Sequence, residues 1–187
     1  MFSDAMSAGV NPGGLQSRTE IRVLICYVLQ YSSAPLPLDK LKERLHFEGI
    51  ANYFETSYAI SDLEESGNIG VAYEEKGLKY YIAVGDAKNI ADALGSSVPL
   101  TIRERTMDIA EQIINRQKNE RENKVEIKSI ENGVYVTCSV LDGDRDLVSV
   151  KLLVPDTDIA ETVNENFLNN PMQVLINSTE GLIGTKL

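Results

Sequence analysis

Apolar residues recur at helical spacing three times before the pattern of the chain changes. Ile21, Leu24, Ile25, Val28 and Leu29 fall at i, i+3, i+4, i+7 and i+8, which marks one face of a helix from about Arg18 to Tyr31 with Ser17 or Thr19 as N-cap. Val23, Cys26 and Tyr27 make that helix apolar almost all round, so it should be covered on two sides. After the SSAPLP turn, Leu38, Leu41 and Leu45 predict a second helix reaching His46. The stripe Thr56, Ala59, Ile60 and Leu63 predicts a third, from Tyr53 to Ser66 and stopped by Gly67. The period then drops to two. Ile69, Val71 and Tyr73 run into EEKG and return through Lys79 to Ile82, a hairpin with Gly77 at a positive-φ position.

Asp86 to Leu94 predicts a short fourth helix. A longer one is expected from Thr101, where T-I-R-E has the form of a capping box made by Thr101 and Glu104. Its apolar stripe is Ile102, Ile109, Ala110, Ile113 and Ile114, and it runs out in the charged stretch RQKNERENK. Three β-rich runs follow, Lys124 to Ile130, Val134 to Leu141 and Leu147 to Val154, separated by ENG and DGDRD turns. They form an antiparallel meander, and helices over Pro155 to Leu168 and Pro171 to Leu182 can cover one face of it. The fold class is therefore α+β: an N-terminal winged helix-turn-helix, a long connecting helix, and a small C-terminal domain of a three-stranded antiparallel sheet with two helices. The corresponding segments are a flexible arm over 1–17, the winged helix over 18–97, the connecting helix over 98–122 and the α+β domain over 123–187. Within the arm, Gly13 to Leu15 can also dock ahead of the first helix.

The stretches GGLQSRTEIRVLICYVL, ANYFETSYAISDLEESGNI, GLKYYI and VPLTIRE, with VYVTCSVLDGD, LVSVKLLVPD and FLNNP towards the C-terminus, resemble a bacterial winged-helix family, domain-of-unknown-function family 4364. The order and spacing of these stretches carry the resemblance, over nearly the whole chain. It implies a winged-helix N-terminal domain and, by analogy with the more distant PadR-like regulators, a DNA-binding transcriptional regulator. It brings no ligand, operator or functional residue.

Charge complicates that expectation. The formal net charge is −10, and an anionic protein repels a duplex whose non-specific affinity comes from Lys and Arg on phosphates. From Ala51 to Glu75 there is neither lysine nor arginine, although this stretch contains the helix that enters the major groove in a winged helix. Asn52, Tyr53, Ser57, Tyr58 and Ser61 are the candidate DNA-binding residues of helix 3, since Asn, Ser and Tyr can read base edges or hold phosphates. Candidate phosphate contacts are Lys40, Lys42 and Arg44 on helix 2 and Lys76 and Lys79 on the wing. Double-stranded DNA is thus the expected partner. The alternative is a protein–protein interaction module that does not bind DNA, with the acidic helix 3 facing a protein partner.

Other chemistry is sparse. His46 is the only histidine and cannot by itself make a zinc site. DGDRD lacks the spacing and terminal glutamate of a calcium loop. No nucleophile with a base beside it and no phosphate-binding glycine loop is present, so neither an enzyme, a metal nor a cofactor is expected. Cys26 and Cys138 lie inside apolar patterns and should be buried reduced thiols, which with the absence of a signal peptide or apolar span predicts a cytoplasmic protein without membrane attachment. Two half-sites of an operator call for a homodimer, with the first helix and the Thr101 to Gln117 helix as candidate contact surfaces. The C-terminal domain would dimerise or sense a ligand.

Overall fold

The computed structural model describes residues 9–186. The chain divides into two compact units, Met1–Ile114 and Asn115–Leu187, with a separate hydrophobic core in each. Among the described residues it is a mixed α+β protein with seven α-helices and two small antiparallel sheets.

The first unit begins with helices α1 (Arg18–Tyr31), α2 (Leu38–Phe47) and α3 (Tyr53–Glu65). Ser17 starts α1 with a capping box: the Glu20 amide donates to its Oγ at 3.2 Å, and its own amide donates to the Glu20 carboxylate at 3.3 Å. Strands β1 (Ile69–Glu75) and β2 (Leu78–Ala83) pair antiparallel around the two-residue turn Lys76–Gly77. Both turn residues have positive φ, 51° and 78°; this is the requirement of a type I′ turn, whose twist matches that of the strands it joins. A bulge at Ala72 shifts the register, and Tyr73 stacks on its partner Tyr80 with ring centroids 4.4 Å apart. Leu36 and Tyr81 exchange two backbone hydrogen bonds, of 3.0 and 2.9 Å, and so tie the proline turn to the ribbon.

Helix α4 (Ala87–Leu94) and a single 3-10 turn lead to α5 (Leu100–Glu122). Here the expected capping box does not form. The Pro99 carbonyl accepts the first bonds, from the Ile102 and Arg103 amides, which leaves Thr101 inside the first turn of the helix. The helix also does not fray: RQKNERE continues it to Glu122, and the two compact units divide within its length.

Helix α1 is the centre of the first core. Ile21, Val23, Leu24, Ile25, Cys26, Val28 and Leu29 are all buried, against α4, α3 and β2. At roughly 1.5–3 kcal/mol for each fully buried large apolar side chain, this helix carries much of the stability of the unit. The stripe Ile102, Ile109, Ala110 and Ile113 of α5 joins the same core. Both surfaces expected for a dimer contact are therefore covered within the chain's own first unit. The arm is also partly fixed. Leu15 is buried, its amide donates to Ile50 O at 2.8 Å, and the Asn11 amide donates to Gly49 O at 2.8 Å. Gly49 (φ 65°) lies so close to the Asn11 side chain that a Cβ there would collide with it. The flexible arm expected over 1–17 is thus docked from Asn11 onward, and residues 1–8 lie outside the described residues.

In the second unit, β3 (Asn123–Ile130), β4 (Gly133–Asp142) and β5 (Arg145–Val154) form a sheet in the order β3-β4-β5. Val134, Val136, Cys138 and Val140 alternate on one face of β4 and bury against Ala160, Phe167 and Leu168 of α6 (Thr157–Asn169). Asp156 caps α6 and Asn170 caps α7 (Pro171–Ile183), each accepting a backbone N–H. Arg116 and Asn119, at the C-terminal end of α5, donate to the carbonyls of Glu165 and Leu168 on α6 at 2.7 and 2.9 Å.

Candidate nucleic-acid interface

Helix α3 buries Thr56, Ala59 and Leu63, so its opposite face, one helical period round, is Phe54, Tyr58, Ser61 and Glu65. All four are exposed. Phe54 is 67% exposed, and Phe47 at the end of α2 is 82% exposed. These two aromatics are the largest apolar features of the region, and neither was among the expected contacts. Their sequence neighbours gave no signal, because a phenylalanine near either end of a helix is usually core.

The expected base-reading residues are divided by this geometry. Tyr58 and Ser61 lie on the open face. Ser57 sits at its edge, and its hydroxyl donates to the Tyr53 carbonyl at 3.0 Å. Asn52 is only 6% exposed, and its side-chain oxygen accepts from the amides of Phe54 and Glu55 at 2.9 and 3.2 Å. It is the N-cap of α3, and the expectation that it reads a base is corrected: turning it outward would leave two helix-start amides without their acceptor. Tyr53 faces α2, where its ring packs edge-on to His46 and lies under the Lys42 ammonium, 4.7 Å from the ring centroid.

The candidate phosphate contacts divide in the same way. Lys40 pairs with Glu43 at 3.5 Å, Lys42 with Asp39 at 3.1 Å and Arg44 with Glu48 at 3.4 Å. Surface pairs of this kind are worth at most about 1 kcal/mol and do not lock a lysine away from a phosphate. Burial does. The Lys42 side chain is 13% exposed against 63% for Asp39, so the accessible member of this pair is the carboxylate. Burial alone would lower the Lys42 pKa, but the hydrogen bonds with Asp39 and Tyr53 outweigh it and raise the value. Lys42 is a cation fixed inward, and its expected phosphate contact is corrected. Lys76 and Lys79, in contrast, are exposed, on the turn and the first part of β2.

A cation that the sequence pattern did not indicate does reach α3. Arg18, the first residue of α1, places its guanidinium over the Tyr58 ring, 4.8 Å from the centroid, while its Nε donates to Glu55 Oε2 at 3.1 Å. Here burial has the opposite sign: the Arg18 side chain is 40% exposed and that of Glu55 is 14%. The pair shows its positive member to solvent. With Glu55 and Tyr58 at i and i+3 on one flank of α3, a helix without basic residues of its own acquires one from α1.

Among the described residues, no group of three or more His, Cys, Asp or Glu side chains is placed to hold a metal ion, and no helix is long and apolar enough to cross a membrane. Cys26 and Cys138 are free and buried, one in each core.

Residues 21–178 match the model of a family described as a domain of unknown function, DUF4364. The chain belongs to that family. No curated protein and no solved structure matches it. The DUF4364 match takes in all of α2, α3, the ribbon and the sheet, and begins three residues beyond Arg18. The arginine that completes the α3 flank therefore lies outside the matched segment.

Proposed function

We propose that this DUF4364 protein is a transcriptional regulator whose first unit is a winged helix-turn-helix that binds double-stranded DNA. One observation carries the reading: the open face of α3, with Tyr58 and Ser61, is flanked by the exposed Arg18 guanidinium. In this reading α3 enters the major groove, where Phe54 can contact a thymine methyl group and Tyr58 and Ser61 can reach base edges. Arg18, Lys40, Arg44, Lys76 and Lys79 hold phosphates, and the second unit dimerises or senses a ligand. With α1 and the α5 stripe enclosed in their own core, the apolar residues left for a homodimer contact include Met172, Leu182 and Ile183, all exposed on α7. No catalytic step belongs to the proposal.

The test is selection of bound duplex fragments from a genomic pool at low salt, followed by titration of the recovered fragment against salt. The logarithm of affinity should fall with the logarithm of salt concentration, with a slope of about −0.9 for every phosphate neutralised. Failure to retain any duplex at low salt would remove the reading.

A second reading has its own observation. Phe47 on α2 and Phe54 on α3 expose more apolar surface than a solvated helix needs, and α3 also carries the acidic residues Asp62, Glu64 and Glu65 further along its length. A protein partner would cover such a patch. In that case Phe54→Ala would abolish partner capture, and Lys76→Ala with Lys79→Ala would leave it intact.

A further inference from the structure

We propose that Arg18 is a preorganised anion fork, and that its ligand is a backbone phosphate of the duplex lying along α3. The inference rests on the DNA-binding reading above and adds to it a residue and a geometry. Three observations lead to it. The Nε of Arg18 is occupied by Glu55 at 3.1 Å, which fixes one edge of the guanidinium. The guanidinium carbon also lies over the Tyr58 ring, 4.8 Å from its centroid, which gives the group a second contact. The two terminal nitrogens, Nη1 and Nη2, are engaged in no hydrogen bond or ion pair among the described residues, and the side chain is 40% exposed.

A guanidinium held in this way has already lost most of the rotamer freedom that a free surface arginine gives up on binding. Its open edge presents two parallel N–H donors, the arrangement that matches two oxygens of a phosphate. Glu55 offsets part of this charge, but it is the less exposed member of the pair, so what solvent meets is chiefly the guanidinium with its remaining N–H donors. Arg18 also stands at the start of α1, where Ser17 and the Glu20 capping box fix its Cα. A lysine in its place would keep the charge but lose the plane, the fork and the seat on Tyr58.

The experiment measures duplex affinity over a salt series for the full chain and for Arg18→Ala and Arg18→Lys, with melting temperature and far-ultraviolet circular dichroism as controls for folding. Arg18→Ala should bind about tenfold more weakly, consistent with loss of a charge-assisted bidentate contact, and its salt slope should be shallower by about 0.9. Arg18→Lys should keep the wild-type slope and still lose affinity severalfold. If both variants match wild type in affinity and slope, the fork is overturned and the DNA-binding reading stands. If Arg18→Ala weakens binding with no change of slope, its role is structural and the fork is likewise overturned. If the wild-type chain itself binds no duplex, the reading beneath the inference has failed and the inference falls with it.

Discussion

Cys26 is fully buried in the first core, and its acid–base behaviour follows from that. Burial pushes the thiol from its ordinary value of 9.0 up to about 11, against a smaller opposite pull from Arg22. Below pH 9 the thiol is protonated whether the chain is folded or not, so its contribution to stability is complete. Between pH 9 and 11 the unfolded chain ionises and the folded one does not, so stability declines, by roughly 2–3 kcal/mol in total. Urea unfolding followed from pH 9 to 11 should show this decline, and Cys26→Ala should make it smaller by the thiol's share. Equal slopes in the two proteins would clear the thiol of responsibility. Asn52 gives a different lesson at the same scale. An asparagine before a helix can cap it or face a ligand, and its sequence allows both uses. The choice was made by two backbone amides that need an acceptor at a buried helix start.

Among the elements, the ribbon turn sets conformational ease against surface charge. Lys76 is the only non-glycine residue with positive φ among those described, a conformation that costs an ordinary L-residue about 1 kcal/mol and asparagine less. Lys76→Asn should therefore stabilise the protein by about 0.5–1 kcal/mol, read as a higher melting temperature. Under the proposed function it should also weaken duplex binding and reduce the salt slope by about 0.9. A variant that gains stability and loses no affinity would remove Lys76 from the phosphate contacts. Most element positions were legible because pattern and punctuation agreed: α1, the ribbon and the three-stranded meander all lie close to where the spacing put them. The start of α5 was not. Its T-I-R-E looks like a capping box, but Val98 before the proline is extended (φ −87°, ψ 130°), and the Pro99 carbonyl supplies the first acceptor, ahead of Thr101 in the chain.

For the whole molecule, a formal charge of −10 acts at distances where no single contact does. If the chain binds duplex DNA, encounter is opposed by the net field, while the bound state depends on a few local cations. Shortening the Debye length from about 30 Å to about 8 Å with salt should therefore raise the association rate, while dissociation accelerates more and affinity falls. Stopped-flow anisotropy separates the two rates, and an association rate that drops with salt would mean that the basic face governs the approach as well as the complex. The candidate interface was less legible than the fold for a related reason. Which cation reaches α3 depends on a contact between Arg18 and Glu55, 37 positions apart, and no local pattern records such a meeting. The turning-in of Lys42 was hidden too, because its spacing on α2 fits an outward lysine equally well.

Among the described residues, the sheet of the second unit ends on β5, and that strand has a neighbour on one side only. Its run Leu147-Val-Ser-Val-Lys-Leu-Leu-Val154 is nearly all apolar or β-branched, with Lys151 as its single charge. A fibril growing by strand addition would have to stack that ammonium on copies of itself at intervals of about 4.8 Å. Lys151 also rests on the Tyr135 ring, 4.2 Å from its centroid, which positions the charge over the sheet. Neutralising this one side chain should shorten the lag before thioflavin-positive aggregates form in a warmed sample, with little change in the melting point. Shelf life in this protein would then be guarded by a residue that contributes almost nothing to its folding.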